Sequence, residues 1–159
     1  MIFFSTTYLE VICMNKNDIV VLRHLRGDGR IALTDLSRRI NIPVTTLHDK
    51  LRSYLKKGLL KPHSLLNFEL MGYLSIAHIL LSVDPARKKG LFAYLHEHPN
   101  VNNLYQINNG WNLLMEVVFE DMNLLEQFVD ELETKFPIIQ KQVHYTLNEH
   151  KREAFFSKV

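Results

Sequence analysis

The spacing of the apolar residues changes once along this chain, between about residues 60 and 74, and this change limits the possible folds. Before it, apolar residues recur every three or four positions, as in Ile19, Leu22 and Leu25. After it, strand-length apolar runs such as 74–83 alternate with helical patterns. This arrangement predicts a small helical module followed by a second module that contains both strands and helices, an α+β chain.

The charge of the chain divides at nearly the same place. Residues 15–63 contain eleven Lys and Arg against four Asp, a net charge of +7, whereas residues 64–159 carry a net charge of −4. Glu10 adds −1, so all 159 residues together sum to only +2. A basic module can meet a polyanion such as nucleic acid, although an ordinary solvated surface gives the same count.

The composition excludes several other protein classes. Hydrophobic residues make up 47% and charged residues 23%, which excludes a largely disordered chain and collagen. The single cysteine, Cys13, cannot form an intramolecular disulfide or a cysteine-based zinc site, and it indicates a reducing, cytoplasmic compartment. There is no run of about 18 apolar residues that would predict a membrane span.

The first residues fit neither module. The second methionine, Met14, opens the polar stretch 15–18, which is typical of a natural N-terminus. The segment before it lacks the basic region and the cleavage motif of a signal peptide. We expect residues 1–14 to be an N-terminal extension, of which 1–13 come from a misplaced start codon. An N-terminal strand or arm is the alternative.

The first module is predicted to contain three helices. Asp18 is a plausible N-cap of the first helix, which ends at Gly27-Asp28-Gly29. Thr34 or Asp35 opens the second helix. Pro43 fits the first turn of the third helix, because proline is favoured there.

The third helix is predicted to have an apolar side and a polar side. Leu47, Leu51 and Leu55 recur every four residues and are expected to face inward. Two short extended runs, 59–61 and 65–68, then predict a small hairpin. Three helices with a tight turn between the last two, followed by a hairpin, form a winged helix-turn-helix domain, here residues 15–68.

The polar side of the third helix is a candidate DNA-recognition surface. A recognition helix needs apolar residues that fix it on its domain and polar residues that reach base edges in the major groove. An arginine one turn from His48, Arg52, can read guanine with two hydrogen bonds. The candidate base-facing residues are Thr45, Thr46, His48, Asp49 and Arg52.

Basic residues around this helix are candidates for phosphate contacts, which position a protein on DNA without specifying the sequence. They are Arg38, Arg39, Lys50, Lys56, Lys57 and Lys61. Alternatively, both groups form an ordinary solvated helix surface. His48 in particular could lie on this surface without contacting DNA.

The second module is predicted to have the order β-α-β-β-α-β. A strand over 74–83 precedes a helix over 84–98, and strands over 101–108 and 111–120 are joined by Asn108-Asn109-Gly110, a strong hairpin signal. The i, i+3, i+4, i+7 spacing of Leu125, Phe128, Val129 and Leu132 predicts the second helix. Alternation along 139–148 predicts the last strand.

This order is the ferredoxin-like motif, in which helices cover one face of the sheet and the other face is open. An open face with outward apolar residues needs a partner, and a second copy of the chain is the simplest one.

The chain resembles the Lrp/AsnC family of transcription regulators (leucine-responsive regulatory protein and AsnC). Residues 35–42 look like the family's second helix and turn, and residues 45–51 look like its recognition helix. Residues 57–60, 66–70 and 72–73 resemble its wing and linker. The resemblance extends from about residue 15 to residue 149.

The resemblance implies a homo-oligomeric, sequence-specific DNA-binding transcriptional regulator. It implies a linker at 69–73 and an oligomerisation and effector domain at 74–150 that dimerises sheet to sheet and can assemble further into tetramers or octamers. Residues 151–159 are left as a C-terminal tail. The family usually has a serine N-cap where Pro43 stands, and proline has no side-chain oxygen to cap exposed N–H groups.

The hairpin of the second module is the candidate effector site. The family carries a Gly-x-Tyr/Phe-Asp pattern there, near the interface that binds small effectors, often amino acids. The matching positions are Asn109, Gly110, Trp111 and Asn112. Asn109 still tolerates a positive φ, and the aromatic residue is kept, but the carboxylate is lost. A plain hairpin tip is the alternative to effector binding.

No motif in the sequence predicts a cofactor, a metal site or an enzymatic reaction. The histidines lack metal-ligand spacing, and neither a glycine-rich phosphate loop nor a nucleophile motif is present. Two alternatives remain. One is an architectural DNA-wrapping protein of low sequence specificity. The other is an enzyme that resembles sirohaem decarboxylases in architecture. Its site would need cationic groups for the substrate carboxylates, whereas the second module here is net acidic.

Overall fold

A computed structural model describes residues 14–157. The expectations for residues 1–13, including Cys13, lie outside the described residues. The described part of the chain divides into two compact units, one made of residues 14–64 and 151–157 and the other of Leu65–His150. No helix in the described part of the chain has the length and apolar character needed to span a membrane.

The first unit contains three helices, α1 (Lys16–Gly27), α2 (Leu33–Ile40) and α3 (Val44–Lys56). Each helix contributes apolar side chains to one shared core, as the sequence pattern predicted. The buried members of this core are Val21, Leu22, Leu36, Leu47 and Tyr54. Because α3 packs on α1 and α2 through this core, its opposite side is free to face solvent.

The N-terminus of α1 differs from the prediction. Asn15, and not Asp18, is the N-cap: its side-chain oxygen accepts a hydrogen bond from the Asp18 N–H at 2.9 Å. The Asp18 carboxylate in turn accepts one from the Asn15 N–H at 3.0 Å. This reciprocal capping box satisfies two N–H groups, one more than a single side-chain cap would.

The start of α2 also differs from the prediction, whereas α3 begins directly after Pro43, close to its predicted start. Leu33 begins α2 after Ala32, so Thr34 and Asp35 lie in its first turn. Pro43 precedes α3 and makes no side-chain capping hydrogen bond, as its chemistry predicted. Asn41, with φ of +52°, ends α2 in the left-handed conformation and turns the chain into α3.

The inward side of α3 is Leu47 and Tyr54, whereas Leu55, predicted to face inward, is exposed. At 3.6 residues per turn, a residue seven positions on returns almost to the same side of a helix, while one eight positions on has moved well past it. The buried line therefore runs from Leu47 to Tyr54, and Leu51 between them is half-buried.

The two runs predicted to form the wing hairpin do not form strands; residues 59–67 have no regular secondary structure. The N–H groups of Leu59 and Leu60 instead donate to the Tyr54 carbonyl oxygen at 2.9 and 3.2 Å. Their side chains pack against the helical core. These two N–H groups thus bond to the end of α3 and not to a second strand.

A polar cluster ties α1 to α3. The Asp18 carboxylate accepts a hydrogen bond from the Tyr54 hydroxyl at 2.6 Å and another from the Lys50 ammonium. Burial raises the pKa of Asp18, but these bonds and the Asn15 N–H outweigh burial and lower the pKa to about 2. Burial and the neighbouring carboxylate raise the pKa of Tyr54.

The second unit has the predicted β-α-β-β-α-β order. All neighbouring strands are antiparallel in the order β2-β3-β1-β4, which is the ferredoxin-like arrangement. The elements are β1 (Ser75–Val83), α4 (Pro85–Glu97), β2 (Val101–Gln106), β3 (Leu113–Phe119), α5 (Met122–Lys135) and β4 (Ile138–Tyr145).

The core of the second unit lies between the two helices and one face of the sheet. Alternate residues of β1, from Ala77 to Val83, are buried, as the period-two pattern requires. The four predicted residues of α5 are all buried. In α4, Leu91 and Leu95 are buried, but Phe92 is only half-buried.

We predict that Asp18→Asn makes the protein less sensitive to acid. The folded pKa of Asp18, about 2, is lower than that of an unfolded aspartate. The carboxylate therefore stabilises the fold fully above about pH 4, and this contribution is lost as the pH falls to about 2. After allowance for solvent screening, wild type should lose about 1–2 kcal/mol more unfolding free energy than the variant across this range.

Urea unfolding at several pH values between 7 and 2 measures this difference. Asp49→Asn is the matched control, because Asp49 is an exposed aspartate on α3, and its pH profile should follow that of wild type. Parallel profiles for wild type and Asp18→Asn would contradict the role of the Asp18 cluster.

Candidate nucleic-acid interface

The five residues predicted to face bases are all exposed on α3. At 3.6 residues per turn, Thr45, Asp49 and Arg52 lie along the middle of this exposed side, with Thr46 and His48 at its margins. The structure therefore places all five on one solvent-facing surface, which we call the α3 outer surface. Their individual contacts with DNA remain predictions.

The start of the α3 outer surface is built by the turn that precedes it. The Ser37 hydroxyl donates to the Ile42 carbonyl oxygen at 2.6 Å and so holds the turn against α2. Pro43 then starts α3 without occupying its first N–H groups by a side chain. Uncapped N–H groups at a helix N-terminus can bind the phosphates of DNA.

Most of the predicted phosphate-contacting residues are exposed. Arg39, Lys56, Lys57 and Lys61 are open to solvent. Arg38 is also exposed, and its guanidinium lies 3.4 Å from the Asp35 carboxylate. An exposed pair of this kind contributes little and competes weakly with a phosphate.

Lys50 is placed differently from the other basic residues. Its ammonium is paired with the Asp18 carboxylate, and its side chain is only 21% exposed. A lysine held in this way serves the packing of α3 on α1, so the structure does not favour Lys50 as a phosphate contact. Sequence reasoning missed this because Asp18 and Lys50 are 32 positions apart, and no local spacing connects them.

The candidate effector hairpin has the backbone that its sequence predicted. Asn109 and Gly110 have φ of +61° and +86°, so asparagine does occupy the left-handed conformation there. Trp111 is half-buried, and the Ile107 N–H donates to the Asn112 carbonyl oxygen at 3.2 Å, which closes the hairpin.

Asn112 also anchors the hairpin to β1. Its side-chain oxygen accepts the Val83 N–H at 2.6 Å, and its own N–H donates to the Leu81 carbonyl oxygen at 2.9 Å. The register of β1 against β4 shifts between Ser82 and Val83, and Asn112 supplies the Val83 N–H with an acceptor there. The side-chain oxygen of Asn112 is therefore engaged within the domain. Effector binding by residues 109–112 remains a prediction.

A cavity of about 700 Å³ lies at the other end of β2 and β3, within the second unit. Its walls include the carboxylates of Glu120 and Glu131 and the rings of Phe128 and His98. The His98 and Phe128 rings are 4.6 Å apart between centroids, and burial lowers the pKa of His98. The cavity and the hairpin thus lie at opposite ends of β2 and β3 in the same domain.

The open face of the sheet combines apolar rows with a central polar pair. Ile76 lies opposite Val118, and Leu80 lies opposite Leu114, on either side of the pair His78 and Glu116. The His78 Nε2 is 3.5 Å from a Glu116 carboxylate oxygen. The face therefore mixes apolar and polar side chains, because β4 adds Gln142 opposite Leu80 and His144 opposite His78. Among residues 14–157, no group of three or more His, Cys, Asp and Glu side chains is arranged to hold a metal ion.

Comparison with known proteins identifies the family of both units. Residues 14–61 match a family described as winged helix-turn-helix DNA-binding, and residues 76–154 match the Lrp/AsnC ligand binding domain. An HTH-type transcriptional regulator of Pyrococcus horikoshii is 30% identical over 119 residues, which cover 74% of this chain and 75% of the relative. The regulator FL11 of the same organism is 20% identical over 118 residues, 74% of this chain and 78% of FL11.

Solved structures share the fold over most of the chain. A transcriptional regulator of Neisseria meningitidis in complex with L-Met superposes with a TM-score of 0.82 at 22% identity, covering 88% of this chain and 94% of that one. LrpC of Bacillus subtilis has a TM-score of 0.79 at 18% identity, covering 88% and 99%. The matched domains and their order show that the chain belongs to the Lrp/AsnC family of DNA-binding transcriptional regulators.

Proposed function

We propose that this regulator binds specific double-stranded DNA sites as a homo-oligomer and reads their bases with the α3 outer surface. The observation that carries the proposal is the division of α3 into a buried side fixed by Leu47 and Tyr54 and an exposed polar side. A helix of this kind can enter the major groove while its domain holds it in position. In a dimer, two such helices would read half-sites about 34 Å apart or a multiple of that distance.

The roles of the side chains follow from their chemistry. Arg52 presents a planar guanidinium that can bind guanine through two hydrogen bonds, and Thr45, Thr46, His48 and Asp49 supply shorter contacts beside it. The phosphate contacts come from exposed basic residues that flank α3. These are Arg38, Arg39, Lys56, Lys57 and Lys61.

Self-association through the open sheet face completes the proposal. Two apolar rows and the exposed ring of Tyr105 would be covered when two sheets pack face to face. An isologous contact of this kind produces a two-fold dimer, which can assemble further into tetramers or octamers.

The C-terminal domain of this regulator is the site of effector control in the proposal, and an amino acid is the effector class that the hairpin suggests. The solved relative from Neisseria meningitidis holds L-Met, which supports a small-molecule effector here. The family matches favour neither an architectural DNA-wrapping protein nor a sirohaem-decarboxylase-like enzyme. We propose a regulatory role without enzymatic activity, performed in the cytoplasm.

Arg52→Ala should weaken binding to a specific site far more than binding to random DNA. Loss of one base-reading pair removes about 1–3 kcal/mol of discrimination, about 5-fold to 150-fold in affinity. Lys57→Ala should instead weaken binding to both DNAs alike. It should also reduce the slope of log affinity against log salt concentration by about one, because one phosphate contact is lost. The specific site is first selected from a random duplex library with wild-type protein, and affinities are then measured by fluorescence anisotropy at several salt concentrations. Equal losses on both DNAs for Arg52→Ala would reject its role in base reading.

Leu114→Lys on the open sheet face should dissociate the oligomer. A lysine there would bury an unpaired charge in the proposed interface, which costs far more than the same substitution in solvent. Sedimentation velocity measures the oligomeric state. Met122→Lys is the control, because Met122 is an exposed apolar residue on α5, and it should sediment like wild type. An unchanged oligomer with folded Leu114→Lys would show that the chain associates through a different surface.

The single tryptophan of the chain, Trp111, reports on the effector hairpin. An amino acid that binds at residues 109–112 should shift the tryptophan emission, because it changes the polarity around a half-buried indole. Titration with each of the twenty amino acids, followed by calorimetry and fluorescence together, tests this. Heat without an emission change would place the ligand away from the hairpin, and no heat with any amino acid would reject this effector class.

A further inference from the structure

The last described residues belong to the same compact unit as the helix-turn-helix. The chain leaves that unit after Ser64 and re-enters it at Lys151, after the whole C-terminal domain has been formed. We call residues 151–157 the C-terminal strap. Its last three residues lie beyond both family matches, which end at residues 61 and 154. The strap therefore begins inside the matched C-terminal domain and continues past it.

The apolar anchor of the strap is Phe156. Its side chain packs against the core formed by Val21 and Leu22, among other residues. The Arg23 guanidinium lies over its ring, 5.2 Å from the centroid, a cation–π geometry. Phe156 has φ of +66°, which a phenylalanine adopts only when its surroundings hold it there. The neighbouring Phe155 is 85% exposed.

A second arginine of α1 binds the polar part of the strap. The Arg26 guanidinium pairs with the Glu153 carboxylate, and its Nε–H donates to the Phe155 carbonyl oxygen at 3.3 Å. One side chain thus contacts both a carboxylate and the main chain two residues further on. At the end of α1, a Cβ on Gly27 would lie 3.3 Å from the Ser157 carbonyl oxygen. The missing side chain at Gly27 lets the strap approach the helix closely.

We propose that the outer side of α1 is a docking site for a short peptide that carries a carboxylate and an aromatic ring, and that its occupant is the C-terminal strap of this chain. Two arginines supply the contacts for a carboxylate and an aromatic ring, and the helical core supplies the apolar socket. Val21 and Leu22 share that core with Leu47 of α3, so a docked strap supports the base of the recognition helix. It also gives the DNA-binding unit a second covalent connection to the C-terminal domain.

The two phenylalanines of the strap provide a matched pair of variants in the full-length chain. Phe156→Ala removes the buried anchor, whereas Phe155→Ala removes an exposed ring of the same size. Limited trypsin digestion after Lys151 and Arg152, followed by intact mass, measures how often the strap is released. We expect Phe156→Ala to be cut at least about fivefold faster than wild type, and Phe155→Ala within about twofold of it. Equal rates for the two variants would overturn the proposal.

A labelled peptide of residues 151–157 tests the docking site directly. In full-length Phe156→Ala the site is vacated, so the peptide should bind and raise its anisotropy. Wild type should not bind it, because its own strap competes at an effective concentration of the order of 1 mM. A peptide that carries Phe156→Ala is the control and should not bind. Equal binding to both proteins, or no binding to the variant at up to about 1 mM, would overturn the proposal. Neither experiment uses DNA, so the result is independent of the proposed DNA recognition.

Discussion

The contact on which the DNA-binding unit depends is the carboxylate of Asp18 held between Lys50 and Tyr54. Three short helices bury only a small core, and apolar contacts alone define the angle between two helices loosely. Charge-assisted hydrogen bonds are directional, so the bonds from Tyr54 and Lys50 fix α3 on α1 at one rotation. That rotation decides which residues of α3 point away from the core. The same carboxylate closes the capping box with Asn15, so one side chain both starts α1 and positions the recognition helix.

In the second unit, helices cover only one face of the sheet, so the two faces differ in composition. On β1 and β3 the helix-covered face is apolar except for Ser75, whereas the open face has its apolar pairs on either side of His78 and Glu116. A fully apolar open face would aggregate with many partners. A polar pair in its middle restricts association to partners that satisfy those groups, and a two-fold copy of the same surface meets this condition by symmetry.

The chain passes between the two units twice, once after Ser64 and once before Lys151. A helix-turn-helix joined to its regulatory domain by one linker receives information through that linker alone. Here the C-terminal strap returns to α1, and Phe156 enters the core that supports α3. A conformational change in the C-terminal domain that displaces residue 150 therefore reaches the DNA-binding unit through the strap as well as through the linker. Contacts that span about 127 positions, such as Arg26 with Glu153, have no local signal in a sequence.

Local periodicity and turn chemistry were enough to predict the three helices of the first unit, the ferredoxin-like topology of the second, the left-handed Asn109 and the polar exposed side of α3. The predicted wing hairpin was wrong, because the N–H groups of Leu59 and Leu60 donate to the Tyr54 carbonyl oxygen. That acceptor is in reach only once α3 has folded. The sequence also did not decide the partners of Lys50 and Asn112. Each of these side chains meets a group far away in the chain, and only the tertiary structure brings the donor and the acceptor together.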